Sequence, residues 1–413
     1  MDWLLLFFAL FNLISVTTIF APRSVPGVAL PWLIYLFAML ATEFAWFWLP
    51  FLGLFVFGLV AAGATETLLG EVSFSIILLS WLGLAWSVRL GLEAATPVQK
   101  SLKDGLGADF ETTISDERRQ LLRKEVSIGD WSKPFRMDKV EIEVLSDIPY
   151  GPNGIRQHLD IYRPKQIPDR GCPVLMQIHG GAWMIGQKDH QALPLMHLLA
   201  SRGWICVSVN YRLSPSVGFP THLQDCKAAL CWIRENGAEY GMDTDFVAVT
   251  GGSAGGHMTA LMGLTENMPE LQPGKEEIDT SVQACVPFYG LYDFLNRDGT
   301  YKSTESLVEF LNGRIVHQSP EEAPELWDLA SPITHIKDNV CPFMVIHGDK
   351  DSLAPVAGAR NFAEKLGQVS NNPVVYLELP GAEHAFEILH SPRTEHTING
   401  VQQFLEWTLA HRS

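Results

Sequence analysis

Val247-Ala248-Val249-Thr250-Gly251-Gly252-Ser253-Ala254-Gly255-Gly256 is a β-branched run that stops in a glycine cluster around one serine. From His257 to Leu264 the chain resumes with helix formers. A strand turning that sharply into a helix strains the backbone at the corner. Gly251 and Gly255 flank Ser253 at G-x-S-x-G spacing, which removes the β-carbons that would clash there. The spacing predicts a hydroxyl held at the tip of a strand, beside the positive end of a helix. A glycine turn that cradles phosphate would read alike over so short a stretch, so the rest of the chain has to decide.

Outward from this corner, strand-like and helix-like segments alternate. His158–Pro164 reads as a strand ended by proline, and Val140–Val144 as its antiparallel neighbour. Pro173–Ile178 is a near-continuous apolar run, as a strand buried on both faces should be, Trp204–Asn210 reads as another buried strand, and Ala284–Tyr289, Pro342–Ile346 and Val374–Leu379 read as further strands. Helical periodicity marks Leu193–Ser201, His222–Glu235, Ala357–Leu366 and Thr397–Ala410. The pattern predicts an α/β domain over 138–413: a mostly parallel sheet with helices on both faces and chemistry at the carboxyl ends of the strands.

Three of those ends carry complementary groups. The first ends in Ser253. Phe343–Ile346 runs into His347-Gly348-Asp349-Lys350-Asp351, and the last strand into Pro380-Gly381-Ala382-Glu383-His384. A serine hydroxyl is a poor nucleophile until a base takes its proton, and His384 is the candidate base. An acid must fix the imidazole tautomer and stabilise the imidazolium. Asp351 is preferred for this role and Asp349 competes with it. His179-Gly180-Gly181-Ala182 follows a buried strand. The N–H groups of Gly181 and Ala182, with that of Ala254 after the serine, are expected to receive the negative charge that builds on a substrate carbonyl. Trp183, Met184, Leu353 and Phe386 adjoin these positions and are expected to line an acyl pocket. His179 and His347 close their strands and are expected to satisfy backbone groups, and His257 to sit in the core. The histidines show no paired metal-ligand spacing, and no metal or cofactor is expected.

Taken together, HGGAW, YRLSP, FPTHLQDCKAALCWI, GGSAGG, HGDKD and GAEHAF resemble the α/β-hydrolase fold in its hormone-sensitive-lipase-like esterase branch. Among these the chain is most similar to actinobacterial, mycobacterial-type membrane-associated esterases with apolar N-terminal helices. The resemblance covers about 138–413. It implies hydrolysis of lipophilic carboxylic esters, and a structural role for Asp225. Two departures stand out: HGGA where many relatives have HGGG, and Gly252 where many carry an acidic residue before the serine. The expectation is a serine esterase or lipase for apolar, short-to-medium acyl groups. An amidase or peptidase would use the same three residues. A non-enzymatic binding protein on this scaffold would typically lack one of them.

The first part of the 413-residue chain has another character. Hydrophobic residues make up 47% of the whole and the net charge is −16, yet residues 1–95 hold only Arg23 and Arg89 as basic side chains. Trp3–Phe20, Val28–Thr42, Phe51–Leu69 and Val72–Leu90 are apolar stretches. They predict an N-terminal bundle of about four membrane helices, the first and fourth long enough to span and the middle two marginal. Asp2 and the lack of a basic start argue against a cleaved signal. Arg89, Lys100 and Lys103 flank the end of the last stretch, a positive-inside bias by which the large domain is expected on the cytoplasmic side. Residues 96–137 read as a linker and outer helix, expected with 291–335 to cap Ser253. The acidic balance argues against nucleic acid as a partner and leaves membrane lipid, contacted through the apolar helices. The six cysteines show no C-x-x-C pair and read as buried free thiols.

Overall fold

Eight strands form one sheet: β1 (Ile142–Pro149), β2 (His158–Pro164), β3 (Cys172–Ile178), β4 (Ile205–Val209), β5 (Met242–Gly252), β6 (Ala284–Phe288), β7 (Phe343–Gly348) and β8 (Val374–Leu379). The structure is a computed structural model that describes residues 1–20, 29–137 and 141–412. Arg23, Val28, Lys139 and Val140 lie outside the described residues. The strand order is β1-β2-β4-β3-β5-β6-β7-β8. β1 and β2 are antiparallel to their neighbours, and every pair from β4 to β8 is parallel.

The uniform apolarity of the central runs has a direct cause. Val174, Met176 and Ile178 of β3 enter one core, whereas Leu175 enters the other. Side chains alternate along a strand, so a strand covered on both faces must be apolar at every position. The helix Ala254–Leu264 covers one face and Pro392–Ala410 the other. All six cysteines are free, five of them buried.

The N-terminal region contains α1 (Asp2–Phe20), α2 (Ala29–Glu43), α3 (Ala45–Ala61), α4 (Leu68–Leu92) and α5 (Ala95–Leu106). α4 buries a stripe of small and aliphatic residues, Gly70, Ser73, Ile77, Ser80, Leu84, Ser87 and Gly91, at alternating three- and four-residue steps. Small side chains let α1 approach closely, the usual way that apolar helices associate without a hydrophobic drive. Trp81 Nε1 donates to Asn12 Oδ1 of α1 at 3.1 Å, while Phe7, Leu79, Leu82 and Trp86 face outward. Among the described residues, two helices are long and apolar enough to cross a bilayer: α1, and a 39-residue helix over Leu68–Leu106 that merges α4 with α5. α2 and α3 pass that test only together, bent by 88°. At 15 and 17 residues, each falls short of the roughly 20 that a span needs.

α5 packs on β8 at the sheet edge. A Cβ on Gly105 would come 2.7 Å from Val375 Cγ2. Buried ion pairs Arg118–Glu406 and Arg123–Glu395 bind the following segment to the C-terminal helix. α5 thus lies against the sheet edge, and the segment after it against the C-terminal helix.

Candidate active site

Ser253 leaves β5 with φ 59° and ψ −118° and caps the helix Ala254–Leu264. A non-glycine residue there stores about 1–3 kcal/mol of strain, which the surroundings must enforce. They do so by close approach to β3. A Cβ on Gly251 would sit 2.5 Å from Ile178 O, and one on Gly255 would sit 2.1 Å from the same oxygen. Ser253 N–H donates to Phe288 O at 3.0 Å, holding the corner to β6.

Asp351 and His384 stand after β7 and β8. Asp351 Oδ2 lies 2.7 Å from His384 Nδ1, and Oδ1 accepts the N–H groups of Leu353 and Ala354 at 2.9 and 2.6 Å. Burial pushes the Asp351 carboxyl up, but the His384 charge and the hydrogen bonds from His347 and His384 outweigh it and hold it below the usual range. For His384, burial lowers the pKa and the Asp351 charge and hydrogen bond raise it, with a net rise above 6.5. Asp349 does other work: its Oδ1 accepts Gly381 N–H at 2.6 Å and pins the loop that carries His384. His347 Nε2 bonds Ala354 O at 2.7 Å, and His257 Nε2 bonds Ala330 O at 2.7 Å beside Trp183 and Phe294.

Ser253 and His384 line one cavity of about 590 Å³. Its wall includes Gly181, Ala182 and Ala254, and the N–H groups of these three make no hydrogen bond among the described residues. Ala182 and Trp183 take left-handed φ of 52° and 58°, so the turn after β3 is as strained as the serine corner. Trp183 and Leu353 line the cavity. Met184 and Phe386 do not: Met184 packs against the core on one sheet face, and Phe386 is 1% exposed within the core on the other. Proximity in sequence to a catalytic position does not set side-chain direction, and both point into packing. Tyr301, Leu307, Phe310 and Leu311, from the 291–335 stretch, form part of the wall. No residue of 96–137 is among the described lining residues. A larger cavity of about 730 Å³ lies at the amino ends of the strands, near Asp243, Gln283 and Arg412, and holds none of the candidate residues.

Four residues around His384 escaped sequence reasoning. Glu383 Oε1 accepts Ser352 N–H at 2.7 Å and His384 N–H at 2.8 Å, tying the acid loop to the base loop. Burial and the Asp351 charge push its carboxyl up to about 8. Glu387 accepts the Tyr289 hydroxyl hydrogen bond, and burial raises it to about 7. The Tyr289 ring lies 4.5 Å from the imidazole, centroid to centroid, and the Tyr35 ring 6.2 Å. Glu383 and Glu387 adjoin the histidine in sequence, a signal that was available. Nothing in the apolar run around Tyr35 pointed to a site. Asp225 receives Arg212 through both oxygens and Gln157 Nε2 at 2.8 Å, away from the cavity.

Comparison with known proteins bears on this geometry. The BD-FAE family model matches residues 159–366. "Probable carboxylic ester hydrolase LipM" of Mycobacterium tuberculosis is 43% identical over 94% of this chain and 89% of its own. "Esterase LipQ" of the same organism is 39% identical over 78% of this chain and 76% of its own. Among solved structures, esterase B from Lactobacillus rhamnosis matches with a TM-score of 0.56 at 20% identity, covering 66% of this chain and 89% of that one. At that identity the likeness shows the fold alone, which is of the α/β-hydrolase type.

Proposed function

The chain belongs to the BD-FAE family and is a carboxylic ester hydrolase, and from that premise we propose that Ser253, His384 and Asp351 form its catalytic triad. The observation that carries the reading is the shared cavity: Ser253 and His384 both line it, with Asp351 bonded to His384 Nδ1 at 2.7 Å. His384 Nε2 takes the Ser253 proton as Oγ attacks the ester carbonyl, and Asp351 stabilises the imidazolium that forms. The oxyanion is received by the N–H groups of Gly181, Ala182 and Ala254, each worth about 3–4 kcal/mol in the transition state. His384 then protonates the leaving alcohol, and water, activated by the same imidazole, releases the acid from Ser253.

The cavity wall is largely apolar, with Trp183, Leu353, Leu307 and Phe310. It suits lipophilic esters with short-to-medium acyl groups. α1 and α4 anchor the enzyme in a membrane within an N-terminal bundle to which α2 and α3 add a bent pair. The positive-inside bias of Arg89, Lys100 and Lys103 supports a catalytic domain on the cytoplasmic side.

Reaction of the purified full-length chain with a fluorescent alkylphosphonate tests the triad. The wild type should be labelled and should hydrolyse p-nitrophenyl butyrate, and Ser253→Ala should do neither. Ser253-independent hydrolysis would refute the assignment.

A further inference from the structure

Among the described residues, every one lining the catalytic cavity comes from Gly180 onward except Tyr35, which belongs to α2. Its side chain is 9% exposed and joins the core of the catalytic domain rather than the packing among the apolar helices. Its ring meets His384 edge-on, 6.2 Å between centroids at 79°, and its hydroxyl reaches Met39 Sδ of the next helical turn at 3.2 Å.

The helix that carries it is fixed to the domain. Glu43, at the carboxyl end of α2, is ion-paired with Arg393, and both side chains are almost wholly buried. Ser391 Oγ donates to Glu43 Oε2 at 2.8 Å, and Arg393 Nη1 to Thr42 O at 3.4 Å. Ser391 and Arg393 start the C-terminal helix that follows the His384 loop. A buried ion pair with further hydrogen bonds holds a defined register, because breaking it leaves an uncompensated charge. The 88° bend after Glu43 then turns α3 away. α2 is therefore a wall of the cavity, held at one end by Glu43.

We propose that Tyr35 is a specificity-determining residue of the ester pocket, so that the N-terminal helical region sets the size of substrate accepted as well as anchoring the enzyme. The inference rests on the ester-hydrolase site proposed above. With Leu353 and Ile388 lining the cavity and packed against the same core, and Tyr301, Leu307 and Phe310 contributed by the 291–335 stretch, the Tyr35 phenol occupies volume that a longer acyl chain would need. Truncating it lengthens the pocket, and enlarging it shortens the pocket.

The test uses the full-length protein in detergent, with active sites counted by phosphonate titration. kcat/KM is measured for p-nitrophenyl acetate, butyrate and octanoate. Tyr35→Ala should raise the octanoate-to-acetate ratio by roughly tenfold or more, the scale at which apolar pockets discriminate chain length. Tyr35→Trp should lower it, and Tyr35→Phe, which keeps the ring, should hold it within about twofold. A ratio unmoved in both Tyr35→Ala and Tyr35→Trp, with full titres, overturns the inference and leaves the triad standing. An equal shift in Tyr35→Phe and Tyr35→Ala overturns the steric account. If Tyr35→Ala does not fold, the direction of the Tyr35→Trp shift decides. A wild type that neither titrates nor hydrolyses any ester refutes the underlying site, and this inference with it.

Discussion

Replacing Asp351 by asparagine removes one charge and almost no volume, 2.7 Å from His384 Nδ1. In the resting enzyme the imidazole is neutral, so little is lost. In the transition state it becomes an imidazolium. At 2.7 Å, with an effective dielectric constant near 20, the missing attraction is about 6 kcal/mol. That corresponds to about 10⁴-fold in rate, since each 1.36 kcal/mol is about tenfold. Serine hydrolases that lose the charge of this acid fall by about the same factor. The loss should appear in kcat with KM nearly unchanged, because the interaction exists only in the transition state. Asp349→Asn is the internal control. Its carboxylate accepts the Gly381 N–H hydrogen bond, and an amide oxygen accepts that bond as well. It should stay within about threefold of wild type. Initial rates on p-nitrophenyl butyrate, normalised to phosphonate titre, provide the measurement. An Asp351→Asn enzyme within tenfold of wild type would refute the reasoning, as would a larger loss in Asp349→Asn.

Two further outcomes follow from the same geometry. His384 must be neutral to accept the serine proton. Although burial alone would lower its pKa, the Asp351 charge and hydrogen bond raise it above 6.5. The active form is therefore lost as pH falls through that raised value. A plot of kcat/KM against pH should show an acid limb with its midpoint above 6.5, moving down in Asp351→Asn; a midpoint below 6.5 in wild type would contradict the charge balance around the imidazole. Gly252→Ala would bring a Cβ to 2.5 Å from Tyr289 Oη and 2.9 Å from its ring. Because that ring packs beside His384, the displacement should cost about 10²-fold in kcat at unchanged phosphonate stoichiometry. Wild-type turnover would show that Tyr289 yields without disturbing the base.

The sheet was readable because its physics is local. Strands buried on both faces must be apolar nearly throughout, and Cys172–Ile178 and Ala284–Phe288, buried at every position, stand out for that reason. The candidate serine, acid and base were readable because each follows a strand. Asp349 and Asp351 could be ranked from the loop length alone, but only coordinates show which oxygen faces the imidazole. Side-chain direction was not readable: Trp183 and Leu353 reach the cavity, whereas Met184 and Phe386 turn into the core. Contacts between distant segments were equally invisible. Nothing near Glu43 announces Arg393, 350 positions away, and nothing in an apolar run distinguishes Tyr35 from its neighbours. Residues 96–137 were expected over the mouth. None of them is among the described lining residues: α4 continues into α5 with little interruption and carries the chain to β8, and the segment beyond is ion-paired to the C-terminal helix.

That continuity has a mechanical meaning. A 39-residue helix is a rod about 58 Å long, and its far end is packed on the sheet, with no slack tether between them. With the near end in lipid, the catalytic mouth would be carried at a fixed height and tilt, free to drift laterally but not to swivel. Such an enzyme samples an area rather than a volume. Its turnover should follow the mole fraction of ester in the bilayer, and diluting the vesicles at constant composition should leave the rate per enzyme unchanged.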